Sequence, residues 1–321
     1  MRMAQRIYWR RRLAALAALA AVAGLIAVVL GIGRDRNPEG RTAAPDTGAP
    51  KVARKPPKPP ELPLGGRRIF PHYRVLAYYG APQAAELGAL GIGTPDAMAR
   101  RLHRLAGHYE RRKRPVMLAF ELLATVANAD PGADGMYRTR QPASIIRRYL
   151  RAARRHKALL ILDIQPGHAD FMAEVRHLDR WLRQPDVGLA LDPEWHTPGA
   201  QPGTVIGSVS ASKVNQVARH VAHIVRARNL PQKLFVVHQF TDDMIVDKAA
   251  VARPRGLAVT MNVDGFGTRA NKVSKYRLFT RQNRRSRFHD GYKLFYHEDT
   301  GLMSPRSVLH LRPAPDFVVY E

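Results

Sequence analysis

The chain has 321 residues, 45% of them hydrophobic, no cysteine and a formal charge of +26. That apolar fraction builds a globular core and excludes a chain disordered throughout. The missing thiols exclude disulfides, thiolate metal sites, a cysteine nucleophile and an acylated N-terminal cysteine. The charge divides as +10 over residues 1–70 and +16 over the rest, so tail and body both favour anionic surroundings such as phospholipid or anionic envelope polymers. No nucleic-acid-binding motif accompanies it, and no nucleic-acid partner is expected.

Arg2, Arg6, Arg10, Arg11 and Arg12 precede an uncharged run from Leu13 to Gly33. About 20 apolar residues span a bilayer as a helix. Basic residues stay cytoplasmic, so residues 1–12 are expected inside, 13–33 as a single-pass signal-anchor, and the bulk outside. The run is longer than the apolar core of a cleavable signal and ends without a small-x-small site. Residues 34–70 then read as a linker. Lys51-Val-Ala-Arg-Lys-Pro-Pro-Lys-Pro-Pro60 suits an extended, solvated spacer.

From residue 71 to 321, short apolar runs alternate with helical patterns. Strands are expected at 74–79, 115–122, 159–164, 187–192, 233–240, 257–264, 293–298 and 316–321. Helices are expected at 94–112, 141–158, 171–184, 212–229, 242–253, 268–282 and 304–311. Thr94 followed by Pro95 and Asp96 is a helix start, and Asp170 and Ser212 read as caps. Eight strand–helix units over about 250 residues fit a (β/α)8 TIM-like barrel, whose active sites sit at the C-terminal ends of the strands.

Alternation along each strand separates two faces. Large apolar residues form the outward set, for example Val187, Leu189 and Leu191, or Leu160, Leu162 and Ile164. The inward set then ends in Glu121, Asp163 with Gln165, Asp192 with Glu194, His238, Asp264 and Glu298. Unpaired buried carboxylates are costly, so such a ring points to ligand, metal or chemistry. Tyr78, Tyr79, Trp195, Phe266 and Tyr296 add aromatic faces of the kind that stack on sugars.

With Asp192-Pro-Glu194-Trp195 closing the fourth strand, the chain resembles TIM-barrel glycoside hydrolases. One pattern of that group puts an acid/base Glu on strand four and a nucleophile Glu on strand seven, which implies Glu194 and Glu298. Another ends strand four in Asp-x-Glu, which implies Glu194 as acid and Asp192 steering an N-acetyl group. The chain departs from both, because Pro193 precedes Glu194 where the first has Asn, and Val187 and Ala190 stand where the second has Asp. The resemblance implies a membrane-anchored enzyme acting on extracytoplasmic polysaccharide, needing no cofactor. Glu194, Glu298 and Asp192 are then the expected catalytic residues. Glu121, Asp163, Gln165, His238, Asp264, Tyr79, Trp195 and Tyr296 are the expected sugar contacts. Two alternatives come from other classes. One is an inactive carbohydrate-binding surface protein. The other is a metal-dependent hydrolase using His238 with Asp163, Asp192, Asp264 or His297.

Overall fold

The computed structural model describes residues 58–321. Residues 1–57, which include the expected signal-anchor at Leu13–Gly33 and most of the linker, lie outside the described residues. Among the described residues, no helix is long and apolar enough to cross a membrane.

Eight parallel strands close into a barrel: β1 Arg74–Gly80, β2 Val116–Ala127, β3 Leu159–Ile164, β4 Val187–Leu191, β5 Lys233–Gln239, β6 Leu257–Val263, β7 His289–Leu294 and β8 Phe317–Tyr320. Strand β1 closes the ring by pairing with both β2 and β8, so that Leu76 lies beside Leu118 on one side and Val318 on the other. Helices α1 Pro95–Ala106, α2 Ala143–Arg155, α3 Phe171–His177, α4 Asp179–Leu182, α5 Ala211–Ala227, α6 Arg269–Ser286 and α7 Pro305–Leu309 cover the outside.

The expected alternation holds in β2 to β6. Leu118, Phe120, Leu160, Leu162, Leu189, Val237 and Met261 pack outward against the helices. Met117, Ala119, Ile161, Ala190, Leu234, Val236 and Ala258 fill the interior with Val75, Tyr79, Phe317 and Val319. Two caps form as expected: Thr94 accepts from the Ala97 amide and Asp170 from the Met172 amide. The cap of α5 is Ser210 rather than Ser212, its hydroxyl accepting from Lys213 N.

Three expectations are corrected. Strand β7 runs from His289 to Leu294, about four residues earlier than 293–298. It carries Asp290, Gly291 and Lys293, which do not read as a strand from composition. Gly291 is needed there, because a Cβ would sit 2.6 Å from Asn262 Oδ1 on β6. The shift reverses the parity of the strand, so Lys293 faces inward while Leu294 and Tyr296 join the outer layer.

The helix expected at 242–253 is one turn, Lys248–Ala250. Ile245 and Val246 instead pair with Val209 and Ser210 in a small parallel ribbon. The linker also ends earlier than residue 70. Leu62, Ile69 and Phe70 are buried in the inner core, and Arg67 bonds the carbonyls of Pro60, Asn229 and Leu230. Residues 58–73 thus close the base of the barrel.

Strand β2 outruns its neighbours. After a register shift between Leu123 and Thr125, its end pairs antiparallel with Arg138–Arg140. Glu174 of α3, fully buried, clamps this lip. It accepts from Arg138 Nε at 2.9 Å and from Arg140 Nε and Nη2, both at 2.8 Å. Burial alone would raise the Glu174 pKa, but the two guanidinium groups hold it below the usual range.

Candidate metal centre at the barrel mouth

His238 ends β5 on the inward face with 1% exposure, and three acids from three other strand ends converge on it. Its Nε2 lies 3.0 Å from Glu121 Oε1 of β2 and 3.2 Å from Asp163 Oδ2 of β3. Its Nδ1 lies 2.9 Å from Asp264 Oδ2, just after β6. These acids are 0–2% exposed. Asp264 Oδ2 also meets Lys293 Nζ of β7 at 3.1 Å, and that ammonium pairs with Glu321 Oε2 at 2.7 Å and sits 3.8 Å above the Tyr79 ring.

Electrostatics separate the acids. Burial alone would raise Asp264, but the Lys293 charge and the His238 contact hold it well below the ordinary range. Burial raises Asp163, with the Glu121 charge adding to it, although His238 opposes. Burial raises Asp192 to about 6, with Asp163 and Asp264 adding to it. Burial alone would lower His238, but Glu121, Asp163 and Asp264 lift it well above its ordinary value. So Nδ1 is tied to an ionised carboxylate. Nε2 points at two more carboxylates, and Glu121 Oε2 and Asp163 Oδ1 are buried without a hydrogen-bond donor. Such a cluster needs a positive species between Nε2 and the two acids, either a proton or a cation.

Glu121, Asp163 and His238 each offer one ligand atom, all within 4.8 Å of one another. One imidazole and two carboxylates suit a borderline divalent ion. Asp264 supplies the outer partner that metal-ligating histidines usually have on their second ring nitrogen. The donor set therefore fits a cation.

The structure brings the expected site residues Glu121, Asp163, His238 and Asp264 together. Asp192 adjoins them, its Oδ2 accepting from Tyr79 OH at 3.4 Å. Gln165 Nε2 donates to Tyr79 OH at 3.0 Å. Glu194 and Trp195 are buried on the turn Pro193–Trp195. The strongest charges acting on Asp192 are those of His238, Asp163, Lys293 and Asp264.

Glu298 lies beyond the end of β7, in a half-buried turn rather than at the strand end. Tyr296 packs on the outer layer against Tyr78 and Tyr320, and His297 is exposed. Lys293 and Glu321 were not foreseen, and only a correct start for β7 would have exposed Lys293 as inward.

The pH dependence of Asp192 is testable. Its folded value of about 6 lies above the ordinary 3.8, so the folded state holds its proton more tightly. Stability from this group is present below pH 3.8 and is lost as pH rises towards 6, by up to about 3 kcal/mol. In metal-stripped protein, Asp192→Asn should remove that decline relative to wild type. Parallel denaturation curves for the two proteins from pH 4 to 7 would show the assignment to be wrong.

No protein-family model matches the chain, and no curated protein matches its sequence. Among solved structures, the chain is similar to 5-methylcytosine deaminase from Klebsiella pneumoniae, liganded with 5-fluorocytosine. The identity is 11% and the TM-score 0.33, over 72% of this chain and 53% of that one. The chain thus spans about half the length of that protein, and a likeness of this size assigns no chemistry. The glycoside hydrolase reading is overturned by the mouth itself, whose centre is a histidine flanked by carboxylates in an arrangement that suits a cation.

Proposed function

We propose that the chain is a divalent-cation-dependent hydrolase, with Glu121, Asp163 and His238 holding the ion. The observation that carries this reading is the buried His238 Nε2 facing Glu121 and Asp163 at 3.0 and 3.2 Å. A divalent ion there supplies Lewis acidity and an acidified water. Asp264 keeps a proton on Nδ1 and leaves Nε2 free to ligate. Lys293 keeps Asp264 ionised. Asp192, buried beside the cluster with Tyr79 OH at its Oδ2, is placed to take or give a proton there. We further propose that Leu13–Gly33 anchors the chain, with the barrel on the extracytoplasmic side.

Full-length protein stripped with a chelator should take up close to one equivalent of Zn2+ or Mn2+ by equilibrium dialysis. Uptake should rise with pH, because the ion displaces a proton. Hydrolysis of an ester, amide or phosphoester in a substrate panel should vanish on stripping and return on reloading. Failure to bind any divalent ion between pH 6 and 8 would sink the reading and leave His238 as a protonated hub of a static ion network. Binding without hydrolysis of any panel member would reduce it to a structural cation site.

A further inference from the structure

The two ends of the barrel carry opposite charge. At the mouth, the connections leaving the strands (81–94, 128–142, 165–170, 192–210, 240–247, 264–268, 295–304 and residue 321) hold thirteen acidic and two basic residues. At the base, the segments entering the strands (58–73, 107–115, 156–158, 183–186, 228–232, 251–256, 287–288 and 310–316) hold fourteen basic and four acidic residues. An Arg-rich surface spread evenly over a basic protein would not divide this way.

The basic end is also shaped. A cleft of about 680 Å3 at the base is lined by Arg67, Arg68, Arg253, Arg255, Arg287 and His289. A second depression beside it shares Arg253 and Arg287 and adds Arg285. Arg68, Arg253, Arg255, Arg285 and Arg287 are exposed. Residues 58–60 lie at this same end, since Arg67 ties Pro60 to Asn229 and Leu230. Upstream of them, the sequence holds the apolar run Leu13–Gly33 and the basic, proline-rich stretch from Lys51.

We propose that the base of the barrel docks on an anionic phospholipid surface, the arginine clefts receiving lipid phosphates and the acidic mouth facing away. Three features favour lipid over other polyanions. The basic end is the end from which the chain leads back to its apolar run. The charge spreads over the whole end and over two separate depressions rather than along one track. Basic residues close to an anionic leaflet each add about fivefold to partitioning. Tethered and docked, the barrel holds one orientation, with its mouth open to solvent.

The chain has no cysteine, so single labels report orientation directly. Full-length protein carries a donor dye at Gly107→Cys on the base or at Ala133→Cys at the mouth, both exposed positions. It is reconstituted into vesicles containing an acceptor lipid. Adding phosphatidylglycerol to phosphatidylcholine should raise transfer from the base dye and lower it from the mouth dye. Salt at about 1 M, where the screening length falls to about 3 Å, should erase both changes. The combined variant Arg253→Ser, Arg255→Ser, Arg285→Ser and Arg287→Ser should lower the docked-to-free ratio on the order of a hundredfold or more. These side chains are exposed, so its melting temperature should match wild type. Should that variant unfold, the salt and lipid series on the wild type decides alone. Transfer that ignores lipid charge overturns the proposal. So does an oligonucleotide that holds the full-length protein more tightly than anionic vesicles at equal salt, which would make the base a nucleic-acid surface. Loss of the base-dye response in millimolar inorganic phosphate at constant ionic strength would make the clefts a site for the free anion and overturn it as well.

Discussion

Replacing His238 by alanine should abolish divalent-cation uptake and destabilise the barrel by about 3–5 kcal/mol, the range for stripping a buried ion cluster of one partner. In a domain of this size that is a fall of about 10 °C or more in the melting temperature. Three acids that are 0–2% exposed would face one another, with Lys293 paired to Asp264. The loss should shrink as pH falls, because burial raises Asp163 and its protonated form no longer needs the imidazole. Calorimetry at pH 5 and pH 8, with cation uptake measured on the same samples, checks both parts. A variant that melts like wild type at both pH values would show that the cluster carries no charge strain. A variant that still binds the ion would remove His238 from the ligand set.

Deleting residues 317–321 should abolish cooperative folding. Phe317, Val318, Val319 and Tyr320 are at most 2% exposed, and each fully buried apolar side chain contributes about 1.5–3 kcal/mol. Their joint loss, roughly 6–12 kcal/mol, is comparable to the whole stability of a typical domain, about 5–15 kcal/mol. The deletion also bares the edges of β1 and β7, which pair only with β8 on that side. Circular dichroism on heating should show no sharp transition. A cooperative melt within a few degrees of full length would mean that the barrel tolerates an open seam.

The barrel was legible wherever composition and alternation agreed. In β3 and β4 every outward residue is Leu, Ile or Val, and the inward sets end in Asp163 and in Ala190 and Asp192, so both strand position and facing followed from the residues. Glu121, Asp163, His238 and Asp264 were therefore found as inward strand ends. In β7 the signals conflict: Gly291 and Asp290 argue against a strand, while Leu294, Phe295 and Tyr296 argue for one slightly later. That single displacement brought Glu298 into the site and left Lys293 out of it, and with it went the case for paired glycosidase carboxylates. Nor does alternation reveal that His238 sits between three acids, because distances across a barrel depend on shear and tilt. The packing of Leu62, Ile69 and Phe70 was hidden by the prolines and Gly65-Gly66 around them, which read as linker.

Trp195 lies 1% exposed in the inner core beside Asp192 and Glu194, whereas Trp181 sits on the outer layer with Arg180 4.6 Å from its ring. The chain has three tryptophans, the third being Trp9 outside the described residues. Indole emission responds to nearby charge, so the mouth carries its own optical reporter. Replacing Trp9 and Trp181 with phenylalanine would leave Trp195 as the sole emitter, and its intensity could follow cation loading or proton uptake at the His238 cluster in real time without any attached dye.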